Sequence, residues 1–157
     1  MIDLSREGEL NEAAELLFFG YRSFTARPDR VLEQRGLARV HHRVLYFVGR
    51  NPGLSVTALL AILGVTKQAL HAPLRQLIEM RLVMSAPSDR DRRVKELRLT
   101  EDGERLESQL TGSQRRLLDG VFATAGPDGE SAWRTVMRTL AATEPGPGPG
   151  WSDEASE

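Results

Sequence analysis

From Leu10 onward apolar residues recur at helical spacing, at Ala13, Ala14, Leu17, Tyr21 and Phe24, which predicts a first long helix from about Glu7 to Thr25 with one buried stripe. Phe19 falls opposite that stripe, beside Glu12 and Glu15, and Leu16 also lies off it. Such a helix offers a second apolar surface that an isolated chain would not readily tolerate. Arg27-Pro28-Asp29 reads as a break, Val31-Leu32 as a short turn, and a second helix is expected from about Leu37 to Arg50, stopped by Asn51-Pro52-Gly53.

Ser55 is a suitable N-cap for a short helix carrying Val56, Leu59, Leu60 and Leu63, and Gly64 supplies the left-handed residue that ends it. Thr66 then caps a helix from Lys67 to about Met80, with Leu70, Leu74, Leu77 and Ile78 on one side and Gln68, His71, Arg75 and Glu79 on the other. Two helices joined by Gly64-Val65 form a helix-turn-helix pattern. Pro73 falls inside the second of them, where it removes the hydrogen bond to Ala69 and should cost ~3 kcal/mol or force a kink. Leu82-Val83-Met84 and Val94 to Leu99 have strand character and flank Pro87-Ser88-Asp89-Arg90-Asp91-Arg92-Arg93, so a hairpin with a long basic tip is expected. Thr100 opens a long helix through Leu106, Leu110, Leu117 and Val121, and after Gly126-Pro127 a final helix carries Trp133, Val136, Met137 and Leu140. The Pro/Gly alternation of 145–150 leads into an acidic tail expected to be disordered.

The net charge of −1 is uneven: Gly64 to Arg98 holds eight basic and four acidic residues, an excess of four, and leaves the remainder at −5. Electrostatic footprints are local, so the helix-turn-helix and hairpin carry the region suited to a polyanion. The chain has no cysteine, which excludes disulfides and thiolate metal sites. Its start has no signal-peptide pattern and no stretch approaches the ~20 apolar residues of a membrane span, so a soluble cytoplasmic protein is expected. Phosphate-loop, nucleophile-elbow and paired-carboxylate signatures are missing, which argues against an enzyme; no cofactor and no metal are expected. His41 and His42, being adjacent, point about 100° apart on a helix and share no ligand site.

The run Asp89-Arg90-Asp91-Arg92-Arg93-Val94-Lys95-Glu96-Leu97-Arg98-Leu99-Thr100-Glu101-Asp102-Gly103 resembles the wing and following Leu-Thr-x-x-Gly of MarR-type winged helix-turn-helix regulators, and Thr66-Lys67-Gln68-Ala69-Leu70 is similar to the start of their recognition helix. The resemblance spans roughly residues 7 to 142. It implies a mainly α fold of α+β type, a winged helix-turn-helix with a two-stranded β-wing and with N- and C-terminal dimerisation helices. The expected division is a dimerisation helix and linker over 1–34, the winged domain over 35–99, dimerisation helices over 100–142 and the tail over 143–157.

Side-chain chemistry agrees with that resemblance. Gln68 and Arg75 are types that pair bidentately with adenine and guanine edges, His71 between them can donate or accept, and Thr66 and Lys67 stand at a helix N-terminus suited to phosphate. Arg90, Arg92 and Arg93 concentrate guanidinium groups for a minor groove, and Asp91 is expected to orient one of them. Leu16, Phe19, Leu117, Leu118, Phe122 and Trp133 are too many large apolar groups for a small winged domain to bury, so a homodimer is expected. The partner implied is double-stranded DNA bearing a pseudo-palindromic operator. The resemblance further implies a repressor released by a small molecule held between the dimer helices and the winged domain; Tyr21, Arg22, His42 and Tyr46 are its expected lining, suited to an anionic aromatic effector. The competing reading is a winged-helix protein-interaction module without an operator.

Overall fold

The computed structural model describes residues 4–143, so the expected tail lies outside the described residues except for Thr143, which caps the last helix. The elements are α1 (Leu4–Gln34), α2 (Arg39–Arg50), β1 (Leu54–Ser55), α3 (Val56–Leu63), α4 (Lys67–Glu79), β2 (Val83–Pro87), β3 (Lys95–Leu99) and α5 (Glu101–Ala142). None of the described helices is long and apolar enough to cross a membrane.

The first helix departs from the expected break. α1 continues through Pro28 to Gln34, taking in the turn expected at Val31-Leu32 and leaving no linker before residue 35. A proline inside a helix deprives the carbonyl four residues earlier of its donor, here that of Phe24. Gln114 Nε2 on α5 donates to this oxygen at 3.4 Å, so a distant helix supplies the missing bond. Pro28 itself is buried. The helix ends where Leu37 N–H donates to the Leu32 carbonyl, with both side chains buried.

The helix-turn-helix follows its local signals. Ser55 Oγ accepts from the Ala58 N–H at 3.0 Å, Gly64 adopts φ 65°, and Thr66 Oγ1 accepts from the Ala69 N–H at 3.1 Å. α4 remains one helix despite Pro73, which is half-buried at its core-facing flank; Ala69, whose carbonyl loses a donor, is exposed and open to water. Leu70, Leu74 and Leu77 are buried as expected, whereas Ile78 lies at the exposed edge of that face.

The expected two-stranded wing is present as β2 and β3, and β1 extends it to a three-stranded antiparallel sheet of order β1-β3-β2. The added strand pairs Leu54 with Leu97 and Ser55 with Glu96, tying the start of the helix-turn-helix to the wing. β2 and β3 pair from Val83 with Leu99 to Pro87 with Lys95. Leu45, Leu59, Leu77, Leu97 and Leu106, all fully buried, join α2, α3, α4, β3 and α5 in one core.

α5 starts at Thr100, whose Oγ1 accepts from the Gly103 N–H and donates to the Arg81 carbonyl. It breaks at Gly126, where φ 84° and ψ 169° are not helical, immediately before Pro127, so the two helices expected on either side of this pair are present. Every residue from Ser5 to Gly20 is exposed. Leu17, assigned to a buried stripe, is therefore uncovered in the single chain, and the stripe meets the rest of the molecule only from Tyr21 onward.

Candidate nucleic-acid interface and internal cavity

Lys67, Gln68, His71 and Arg75 all project from the exposed side of α4, and Thr66 stands exposed at its N-cap. Gln68, His71 and Arg75 are spaced by three and four residues, which puts them on one face. Arg75 Nε is held by Glu79 Oε1 at 2.9 Å, one turn on. Both side chains are well exposed, so the pair is a weak restraint that a stronger acceptor can displace.

The wing tip, 88–94, is closed by Ser88 N–H donating to the Val94 carbonyl and Val94 N–H to that of Asp91. Asp91 Oδ1 accepts from the Arg93 backbone N–H and from its Nε, and Oδ2 accepts from its Nη2 at 3.1 Å. These bonds from Arg93 hold the Asp91 carboxyl below the usual carboxylate range. Arg93 is thus the arginine tied to Asp91, while Arg90 and Arg92 are exposed and have no side-chain partner among the described residues.

A second site lies on the other side of the winged unit. A cavity of about 340 Å³ opens between α1, α2 and α5, lined among others by Tyr21, Phe24, Pro28, His42, Tyr46 and Leu118. Tyr21, His42 and Tyr46 thus share one space, as expected, but Arg22 does not line it. Successive helical residues point about 100° apart, and Arg22 instead lies over the Phe19 ring at 5.0 Å. The cations at the cavity are Arg39, Arg43 and Arg115, which the expected lining of Tyr21, Arg22, His42 and Tyr46 did not include. Arg39 grips the Asp29 carboxylate through Nε and Nη2, the latter at 2.9 Å, and Arg43 Nη2 donates to Tyr21 Oη at 3.2 Å.

His42 belongs to a polar chain that runs beneath the cavity. Arg50 Nη1 contacts Glu107 Oε1 at 2.9 Å, the Thr111 hydroxyl donates to Glu107 Oε1 at 3.0 Å, and His42 Nε2 stands 3.1 Å from Thr111 Oγ1. Thr111 has a single hydroxyl proton, already given to Glu107, so Nε2 is the donor to it and His42 is the Nε2–H tautomer. Burial pushes the His42 pKa down to about 4, outweighing the favourable field of Glu107. The imidazole is therefore neutral near pH 7, and the positive charges at the cavity are those of arginines. His41 is neutral too: burial lowers its pKa, Nδ1 accepts from the Ala38 N–H at 2.9 Å and Nε2 donates to Gln76 Oε1 on α4 at 2.8 Å. No cluster of metal-ligating side chains occurs among the described residues.

The apolar residues expected at a dimer contact fall into two groups. Leu16, Phe19 and Trp133 are 62%, 47% and 41% exposed, and Leu117 is exposed as well. Phe122 is half-buried and edge-to-face with Trp133, with ring centres 5.2 Å apart, and half-buried Leu118 lines the cavity.

A family model described as the MarR family matches residues 35–94, the winged unit. The crystal structure of a MarR family transcription regulator, 18% identical, superposes with a TM-score of 0.74 over 87% of this chain and 91% of that one. That of NadR in complex with 4-hydroxyphenylacetate, 20% identical, superposes with a TM-score of 0.67 over 82% of this chain and 91% of that one. These distant likenesses establish the fold. Among curated proteins, the HTH-type transcriptional regulator PetP of Rhodobacter capsulatus is 44% identical over 132 residues, covering 84% of this chain and 80% of PetP. Identity of that extent, running through the recognition helix, wing and flanking helices, places this chain in the MarR family of winged helix-turn-helix transcriptional regulators.

Proposed function

We propose that two copies of this chain bind a pseudo-palindromic operator in double-stranded DNA and repress transcription by occluding a promoter, until a small anionic aromatic effector releases them. The observation that carries the reading is the pairing of two exposed features: the polar face of α4, with Gln68, His71 and Arg75, and a wing tip whose Arg90 and Arg92 are uncommitted. α4 has the diameter of a major-groove reader and the wing is narrow enough for an adjacent minor groove. Thr66 and Lys67 at the helix N-terminus serve as phosphate contacts.

In this reading the exposed apolar surfaces of α1 and α5 meet those of a second copy. Two-fold symmetry then sets the half-site centres about one helical turn, roughly 10 base pairs, apart. The effector occupies the cavity between α1, α2 and α5. NadR, of the same fold, is a protein crystallised with an aromatic acid, and the lining here combines aromatic rings with three arginines, which supports that ligand class. Release requires the effector to bind the DNA-incompetent arrangement more tightly than the other.

Binding to duplex DNA measured across salt concentration tests the reading. The DNA reader shows saturable affinity whose logarithm falls steeply with the logarithm of salt, and a winged-helix protein adaptor shows no such affinity.

A further inference from the structure

We infer that Gln76 is a positioning residue for DNA reading: its carboxamide fastens α4 to the link between α1 and α2 and so fixes the direction in which Gln68, His71 and Arg75 point. The inference rests on the DNA-reading function above and adds what aims the reading face.

The groups around Gln76 determine its orientation. Gly36 stands just past the end of α1 with φ 69°, and its carbonyl, which can only accept, takes a hydrogen bond from Gln76 Nε2 at 3.2 Å. Gln76 Oε1 is left to accept, so His41 Nε2, 2.8 Å away, is the donor. The other ring nitrogen agrees, since His41 Nδ1 accepts from the Ala38 N–H at 2.9 Å. Gly36, Ala38, His41 and Gln76 thus share one set of directed bonds, and reversing any member sets two donors or two acceptors face to face. His41 is buried and Gln76 half-buried. With both ends of its carboxamide engaged inside the chain, Gln76 is not itself a base reader.

Apolar packing alone aims a helix loosely. Leu70, Leu74 and Leu77 bury one side of α4, but the hydrophobic effect is non-directional and tolerates a small rotation of the helix about its axis. A rotation of about 10° carries an atom at the ~6 Å outer radius of a helix through about 1 Å. Hydrogen-bond distances span only about 0.5 Å, so a bidentate pair with a base edge is lost at such a displacement. A contact that relies on the charge of the phosphate backbone survives it. Successive helical residues point about 100° apart, so Gln76 holds the link while Arg75 beside it stays exposed.

The test compares affinities for two duplexes, the one that wild type enriches from a random-sequence pool and a scrambled duplex of the same composition, with thermal melts to verify that each variant is folded. Gln76→Leu fills much the same space without either hydrogen bond; it should lower the ratio of the two affinities at least about five-fold and leave the scrambled duplex bound as before. His41→Asn keeps an acceptor for the Ala38 N–H but is too short to reach Gln76. It should lower the ratio as well, although the imidazole it replaces is buried, and the double variant should lose no more than Gln76→Leu alone. Should His41→Asn not fold, Gln76→Glu takes its place, since it keeps the acceptor for His41, loses the donor to Gly36 and should also lower the ratio. A wild-type ratio in Gln76→Leu makes these bonds merely structural and overturns the inference. A loss in Gln76→Leu that His41→Asn does not share makes Gln76 a direct reader and overturns it equally, and both outcomes spare the DNA-reading function. Wild type that enriches no duplex overturns that function and the inference with it.

Discussion

His42 on α2 donates its Nε2–H to Thr111 on α5, a buried hydrogen bond that joins the winged unit to the long helix across 69 residues of chain. Because Thr111 passes its own proton to Glu107, and Glu107 pairs with Arg50, the imidazole is one member of a chain of directed polar contacts between α2 and α5.

That arrangement predicts an acid sensitivity with a definite sign. The folded pKa of His42, about 4, lies below its ordinary value of 6.5, so the unfolded chain takes up the proton more readily. The associated stability is complete above about pH 6.5 and is lost as the pH falls toward 4. Between pH 7 and 5 the loss should be about 2 kcal/mol per subunit. Urea unfolding of wild type and His42→Gln over that range should show a steeper decline for wild type; parallel curves would mean that the imidazole is not held neutral.

A second prediction concerns the junction of wing and long helix. A Cβ on Gly103 would stand 2.0 Å from the Leu82 carbonyl oxygen, which itself accepts from the Thr100 N–H. Backbone cannot rotate aside as a flexible side chain does, so Gly103→Ala should destabilise by at least about 2 kcal/mol. Denaturation measures this directly, and a change under about 0.5 kcal/mol would refute the tight approach.

Local chemistry made the helix-turn-helix readable: Ser55, Thr66 and Thr100 each cap the helix that follows them, and the leucine spacing of α4 defines its buried side. The continuation of α1 was not readable, because Pro28 is a helix breaker by every local rule and the donor that relieves it, Gln114, lies 90 residues away in the closing bond to Phe24. The cavity went with it. Once α1 runs past Pro28, Tyr21, Phe24, Thr25 and Pro28 fall on one face, and Thr111, Gln114, Arg115 and Leu118 repeat the spacing on α5. Arg22 has the side-chain type for an anion and adjoins Tyr21 in sequence, but one residue of helical rotation takes it out of the cavity. β1 has only two residues, too few to show alternation.

Association is expected to be obligate. Leu16 and Phe19 sit on an α1 segment with no cover in the single chain, and Trp133 is exposed near the far end of α5. Sedimentation at micromolar concentration should give twice the 17.5 kDa chain mass. Leu16→Glu with Phe19→Glu should shift the population to monomer or unfolded chain. A folded wild-type monomer would contradict the two-half-site arrangement.

Reading and gripping should separate by mutation. Arg75 must leave Glu79 to reach a guanine edge, a cost of at most about 1 kcal/mol for an exposed pair. Arg75→Ala should lose about 1 to 3 kcal/mol per half-site and relax preference at one operator position. Arg92→Ala should weaken binding to many sequences alike and lower the salt slope by about one per subunit. Affinity across single-base operator variants and across salt distinguishes them: uniform loss from Arg75→Ala removes the direct-readout role, and unaltered affinity in Arg92→Ala moves the grip to Arg90 or Arg93.

The central claim is that two copies of this chain read two half-sites, and selection of bound duplexes from a random-sequence DNA pool, followed by sequencing, tests it most directly. The account predicts one enriched motif with two-fold symmetry and half-site centres roughly 10 base pairs apart. Recovery of unenriched sequence, or of a single unrepeated half-site, would contradict it.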